Sequence, residues 1–361
     1  MRVPERSVRA PGSAWFAGVE ATDPVEDVDV RAEPERLTAG WWAVVGDFEG
    51  RVRAWRFATV RPVQTRTPPV WTGPDAGSWT SSLDRDAYME AVETVRSRIL
   101  EGDVYQANLC RVLSAPLPDE PDARALAAVL DAGNPAPFAG GVHVPLDSAH
   151  QPVWVVSASP ELFLRLADGI VSSGPIKGTA ATADGLTAKD RAENVMITDL
   201  VRNDLQRVCA PGTVEVTTLL GEERHPGLVH LVSTVQGVLD PAVATAPDLW
   251  ARLLDSTYPP GSVSGAPKSS ALRIIGELER EARGPYCGAV GWIEVGQDGS
   301  VRAELAVGIR TFWWSDGVLR FGTGAGITWG SDPAKEWAET ELKAARLVGL
   351  ASNVDVGPMT D

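Results

Sequence analysis

The sequence predicts an α+β fold in which antiparallel sheets carry the core and helices pack outside them. Three observations lead there. Apolar segments separated by short turns recur along the chain and read as hairpins. Apolar residues at helical spacing occur in well-separated blocks. The regular strand–helix–strand alternation of a parallel sheet is weak.

In chain order, WWAVVGDF, a Glu49-Gly50 turn and RVRAWRFATV form the first hairpin. Residues 61–82, rich in Pro, Thr, Gly and Ser, read as a linker or long surface loop. Tyr88, Val92, Val95 and Ile99 then recur at helical spacing, and Gly102 supplies a left-handed stop. VYQANLCRV is a strand, 122–131 a helix and PVWVVSAS another strand. ELFLRL and GIVSSGPI pair across an Ala-Asp-Gly turn. A helix over about 188–208 opens after Thr187. Two strands, TVEVTTLL and VHLVSTVQGVL, are followed by helices near 247–254 and from about 267. YCGAVGWIEV, SVRAELAVGIRTFWW and VLRFGTGAGIT read as a three-stranded meander, closed by a helix from 333 to about 347.

Composition narrows the function. The 361 residues are 44% hydrophobic and 22% charged, ordinary for a globular enzyme of two domains or one large one. A net charge of −15 repels nucleic acid and anionic lipid, so neither is an expected partner. A small anionic substrate remains compatible, because local basic groups or a metal can hold it. Cys110, Cys209 and Cys287 are far apart and in no metal-ligand spacing, which reads as three reduced thiols. The N-terminus has no apolar core of signal-peptide length, and no apolar run approaches ~20 residues. The expected location is the cytoplasm.

Two glycine-rich strings are not nucleotide sites. GTGAGI lacks dinucleotide-fingerprint spacing, and GSVSGAPKSS separates its second glycine from Lys268 by Ala266 and Pro267. The carboxylates carry more information. Glu193, Ile197, Leu200 and Asp204 follow one another at i, i+4, i+7 and i+11, so Glu193 lies in line with an apolar stripe. A charge there needs an ion pair, for instance with an arginine, or a metal. Glu336, Glu339 and Lys343 share a face of the last helix. Oxygen ligands from two helices without His or Cys suit Mg²⁺ better than zinc. Lys177 in GPIKGT and Glu161 in SASPELF stand 16 residues apart on the arms of the expected hairpin, where they could converge. His230 lies within an apolar strand, and nothing completes a His-based triad around it.

Nine strings occur in one order: EGDVYQANL, SASPELF, GPIKGT, DRAENVMITDLVRNDL, VHLVSTVQG, PPGSVSGAPK, RGPYCGAVGW, AVGIRT and GTGAGITWGSDPAKEWAETELKA. Together they resemble the catalytic subunits of the chorismate-utilising enzymes, above all the aminodeoxychorismate synthase component I group. The resemblance covers about residues 84–350. It implies an α/β sandwich of two facing antiparallel sheets with outer helices and substrate between the sheets. Residues 1–80 would be a shortened strand-rich region completing the sandwich, and 84–350 the chorismate-binding domain.

Carried over motif by motif, the resemblance implies that Glu193 and Glu339 bind Mg²⁺ directly and Glu336 through water. Tyr286, Arg310 and Lys343, with the backbone at Gly324 and Gly326, would cradle the enolpyruvyl carboxylate. His230, Ser262 and Thr179 would line the substrate. Gln106 stands where water-adding relatives carry a lysine base, which disfavours isochorismate and salicylate formation. Lys177 replaces an alanine typical of anthranilate synthases and implies a covalent lysine path, with Glu161 as the acid. The implied activity is synthesis of 4-amino-4-deoxychorismate. The alternatives are amination at C2, giving anthranilate, and a non-catalytic chorismate-binding subunit. Ammonia would come from a separate glutamine amidotransferase subunit or from solution. Asn194 replaces a common His, Ser270 replaces a common Arg, and the missing Leu-Leu-Glu-Ser string speaks against tryptophan regulation.

Overall fold

The computed structural model describes residues 12–353 apart from 65, 66, 68, 181, 226 and 227, and without the side chains of 179, 224, 225 and 228. Its strands form one continuous antiparallel ladder that folds back on itself as two facing sheets. One sheet runs through Val19–Asp29, Val52–Pro62, Gly40–Gly46, Ala289–Val295, Val301–Val307, Leu162–Ala167, Ile170–Gly174 and Leu228–Val238. The other runs through Ser13–Phe16, Phe138–Val144, Val153–Ser159, Thr311–Ser315, Val318–Ile327 and Gln106–Pro116. Pairing of Ser13–Phe16 with Val19–Asp29 joins the two. Apolar faces from both sheets, including Val44, Val290 and Ile293 from one and Val142 and Val155 from the other, form a shared core.

Seven helices among the described residues cover this core: α1 (Arg85–Leu100), α2 (Ala123–Gly133), α3 (Ala188–Gln206), α4 (Pro241–Ala244), α5 (Leu249–Thr257), α6 (Lys268–Leu278) and α7 (Pro333–Ala351). α1, α2 and α3 each start on a side-chain cap. Asp84 accepts from Ala87 N, Asp122 from Arg124 N and Ala125 N, and Thr187 with Asp190 forms a capping box. Gly102 lies at φ 85° just after α1, as its sequence position requires. No helix among the described residues is long and apolar enough to cross a membrane.

Three expectations need correction. The segment 61–82 is not simply a linker: its indoles are anchored, Trp71 donating to Ala351 O at 2.8 Å and Trp79 to Ser352 Oγ at 2.9 Å. The meander has four strands rather than three. Its long middle segment breaks after Val307, where Arg310 takes φ 51°, and its two pieces enter different sheets. Finally, Lys177 is not on the arm of the 162–174 hairpin. After Pro175 the chain leaves that hairpin, and Ile176–Ala180 pairs with Leu228–Val238 instead.

One buried charge pair locks the region behind the candidate site. Arg283, 1% exposed, donates to Glu279 Oε2 at 2.8 Å, Val263 O at 2.9 Å and Asn108 O at 2.6 Å. Its guanidinium lies 4.0 Å from the Phe48 ring centroid, while Glu279 Oε1 accepts from Cys110 N at 2.9 Å. Arg283→Met strands a buried carboxylate and should cost about 3–5 kcal/mol in urea unfolding at pH 7. Arg283→Met with Glu279→Met should recover most of that loss. A single-variant loss below about 1 kcal/mol would show that the pair does not hold this region.

Candidate active site

The site forms where Ile176–Ala180, the Glu161 corner, α3 and α7 meet. Glu161 is fixed by its backbone: its N–H donates to Ser159 Oγ at 3.2 Å and its carbonyl accepts from Val307 N at 3.0 Å. The side chain is 3% exposed, and Oε1 has no hydrogen-bond partner. Burial therefore raises its pKa to about 7, although Ser262, Lys177 and the Ile176 backbone pull the other way.

Lys177 sits at a register break between the Ile176–Val232 and Thr179–His230 pairs. Such a break releases a side chain from strict alternation and re-aims it. Burial lowers its pKa, opposed by Glu193, Glu161 and Glu339 and reinforced by Lys343. Gly326 explains why a glycine faces it: a methyl group there would stand 2.3 Å from Gln106 Nε2 and 3.7 Å from Lys177 Nζ. Gln106 is itself buried, with Oε1 unpartnered. Glu161 and Lys177 thus converge as an acid with a raised pKa beside an amine with a lowered one.

α3 brings Glu193 to the same place. Its register on the sheet is set by Asn194, which donates to Leu231 O at 2.9 Å and accepts from Ser233 Oγ. Farther along, Asp204 accepts from Lys268 Nζ at 2.7 Å, so Lys268 ties α3 to α6 and serves structure. α7 delivers Glu336, Glu339 and Lys343. It is clamped by Arg111, which donates to Thr340 Oγ1 at 3.0 Å and lies 4.1 Å over Trp337, and by Thr323 Oγ1 donating to Thr340 O at 2.9 Å.

The expected arginine partner of Glu193 is instead a lysine. Lys189 Nζ lies 3.6 Å from Glu193 Oε1 and 3.3 Å from Glu336 Oε1, bridging the two helices. Lys343 Nζ pairs with Glu339 Oε1 at 2.6 Å and donates to Gly324 O at 3.0 Å. Burial raises the Glu193 pKa; at Glu339 burial also pushes upward, but Lys343, Lys189 and Lys177 together outweigh it and the pKa is lowered. Glu193 Oε1 and Glu336 Oε2 are buried without hydrogen bonds. No three His, Cys, Asp or Glu side chains among the described residues already enclose a metal-sized space. A cation here would be held by a few carboxylate oxygens plus water and substrate, an arrangement Mg²⁺ accepts.

The remaining expected residues divide. Ser262 is buried in the short turn Gly261–Val263, beside Glu161 in a small cavity that Lys177 does not line. His230 is buried in Leu228–Val238, opposite Thr179 and Glu223. The Thr179 side chain lies outside the described residues. Tyr286 is buried and accepts from Cys110 Sγ at 3.8 Å. Arg310 stands apart: it donates to Asn134 Oδ1 at 3.4 Å and lies near Arg346. Lys189 is the residue that sequence reasoning missed. Its signal was the i, i+4 spacing to Glu193.

Residues 47–349 match the family model of the chorismate binding enzymes. The chain belongs to the chorismate binding enzyme family. Two family members illustrate the range. The chain is 39% identical to anthranilate synthase component 1 of Streptomyces coelicolor over 302 residues, 80% of this chain and 55% of that one. It is 33% identical to aminodeoxychorismate synthase component 1 of Salmonella typhimurium over 334 residues, 86% of this chain and 69% of that one. Against two of the curated family relatives it matches, the chain spans 55% and 63% of their length. The fold agrees with solved members of the family. Anthranilate synthase component I from Streptococcus pneumoniae superposes with a TM-score of 0.75 at 23% identity, over 96% of this chain and 94% of that one. The menaquinone-specific isochorismate synthase of Escherichia coli also gives 0.75, at 19% identity, over 96% and 90%.

The raised Glu161 pKa has a stability consequence. Between the ordinary carboxyl value of 4.5 and about 7, the native state holds a proton that the unfolded chain has lost. Stability should therefore fall as pH rises through this window. Glu161→Gln should remove that slope and leave the variant more stable than wild type at pH 8, by up to about 3 kcal/mol. Urea midpoints at pH 5 and pH 8 check this; parallel behaviour of the two proteins would refute it.

Proposed function

We propose that this chain aminates chorismate at C4 to give 4-amino-4-deoxychorismate, as an aminodeoxychorismate synthase component I. The observation that carries the reading is Lys177: a partly buried amine, shifted toward its neutral form, beside the protonatable Glu161. A neutral amine can act as a nucleophile, and a carboxyl titrating near 7 can donate a proton at neutral pH. Lys177 Nζ adds to ring C2, the double bonds shift, and the C4 hydroxyl leaves as water with the Glu161 proton. Ammonia then attacks C4, the double bonds shift back, and Lys177 leaves C2. The attacking amine and ammonia shed one proton each during the exchange; one restores Glu161 and the other returns to Lys177 Nζ as it leaves C2. Gln106 cannot serve as a base for water, which keeps hydration from competing.

Glu193 and Glu339 would hold Mg²⁺, with Glu336 acting through water; the ion supplies positive charge for the ring carboxylate. Lys343, Arg310 and Tyr286, with the backbone at Gly324 and Gly326, would receive the enolpyruvyl carboxylate. His230, Ser262 and Thr179 would line the ring. The two relatives called component 1 support a separate partner subunit, and an amidotransferase delivering ammonia is the natural one. Placement in the cytoplasm follows from the same reading. A second reading, amination at C2 to anthranilate, is favoured by the relatives of that name at 39% and 36% identity.

Incubating the protein with chorismate, Mg²⁺ and an ammonium salt, then identifying the product by mass spectrometry, separates the readings. Wild type without ammonia should accumulate a substrate adduct on Lys177, and Lys177→Ala should lose both adduct and C4 product. Anthranilate made equally well by wild type and Lys177→Ala would reject the proposal. Glu339→Gln removes one anionic oxygen while keeping shape. It should reduce turnover at least 100-fold, or about 2.7 kcal/mol, without loss of fold. Undiminished turnover would remove Glu339 from the metal site.

A further inference from the structure

We infer that Lys189 is a resident counter-cation of the Glu193–Glu336 pair, standing in for the divalent ion in the metal-free protein and swinging out to solvent when that ion binds. The inference rests on the proposed metal site. Its starting observation does not, since the lysine bridge is present in the structure itself.

Glu193 comes from α3 and Glu336 from α7, and both side chains are largely removed from water, 14% and 5% exposed. Two carboxylates converging from separate elements repel each other strongly in such surroundings. Lys189 reaches both: one turn along α3 to Glu193, and across to Glu336, 147 residues away in sequence. An ordinary i, i+4 surface pair would satisfy only the first contact. The bridge is also incomplete. Nζ hydrogen-bonds one oxygen of Glu336 and stays 3.6 Å from Glu193, leaving Glu193 Oε1 and Glu336 Oε2 without hydrogen bonds. Those buried orphan oxygens remain open to a better cation.

Ammonium and metal cannot share the place. A Mg²⁺ ion sits about 2.0–2.1 Å from its carboxylate oxygens. An ammonium 3.6 Å from the Glu193 oxygen would face it at close range with like charge, and its contact with Glu336 Oε1 at 3.3 Å would compete with the water through which Glu336 acts. Lys189 has an exit to solvent, its side chain 46% exposed. Of the other cations nearby, Lys343 is held by Glu339 and Gly324 O, while Lys177 also acts on Glu193 but forms no salt bridge with it. Metal affinity is therefore set partly by the cost of displacing Lys189, which offsets the repulsion between the two carboxylates and weakens capture of the ion.

Mn²⁺ binding to the substrate-free protein, followed by the loss of the free-ion electron paramagnetic resonance signal, tests this without turnover. Lys189→Met and Lys189→Gln should bind Mn²⁺ at least fivefold more tightly than wild type, and Lys189→Arg within twofold of it. The metal-free neutral variants should melt at lower temperature than wild type and gain more from added Mn²⁺. Glu193→Gln controls for the site. If it loses Mn²⁺ while the neutral Lys189 variants bind no more tightly than wild type, the counter-cation role is wrong and the metal site stands. If Glu193→Gln binds as wild type does, the metal site is misplaced and the inference falls with it.

Discussion

Arg283 and Glu279 organise the ground on which the site stands. A guanidinium taken fully out of water must satisfy its donors or destabilise the fold. Here it does so by gripping Asn108 on one strand, Val263 in the turn next to Ser262, and Glu279 just beyond α6. Glu279 in turn holds the Cys110 backbone, and Glu49 at the hairpin tip accepts from Arg283 N at 2.7 Å. Four separated stretches of chain are thus positioned by one ion pair. Cys110 and Asn108 lie opposite Gly324 and Gly326, so the constraint passes directly to the candidate substrate face.

Charge at the site is arranged as alternating partners rather than as a patch. Lys177, Lys189 and Lys343 are interleaved with Glu161, Glu193, Glu336 and Glu339 on elements far apart in sequence. Every lysine pKa shift resolved there reflects a contest between burial and neighbouring carboxylates. That contest is what allows a protein of net charge −15 to hold an amine with a lowered pKa beside an acid with a raised one. The family relation and the geometry speak to different questions. The family points to chorismate binding, while the local environment of Lys177 supports the proposed amination at C4.

Much of this was legible from residues. Tyr88, Val92 and Val95 are the buried face of α1, Thr187 caps α3, and Asp168 with Gly169 turns the 162–174 hairpin, all with local signals. The break inside SVRAELAVGIRTFWW was not legible, because both halves read as continuous β-strand. Only the different partners waiting for each half divide them. Trp71 and Trp79 were hidden for a similar reason: their anchors lie at the end of α7, some 270–280 residues away.

By itself the sequence determined the element types, the antiparallel class and the family, and it singled out Glu161, Lys177, Glu193, Glu336, Glu339 and Lys343, because those depend on local propensity, periodicity and motif order. Tertiary structure alone decided how they meet. Lys177 converges with Glu161 through a strand switch after Pro175, not through the hairpin that spacing suggested. Glu193 takes a lysine rather than an arginine, and that lysine also reaches Glu336. Such contacts arise from the docking of α3 and α7 onto separate parts of the ladder, and long-range packing leaves no periodic trace in the chain that folds into it.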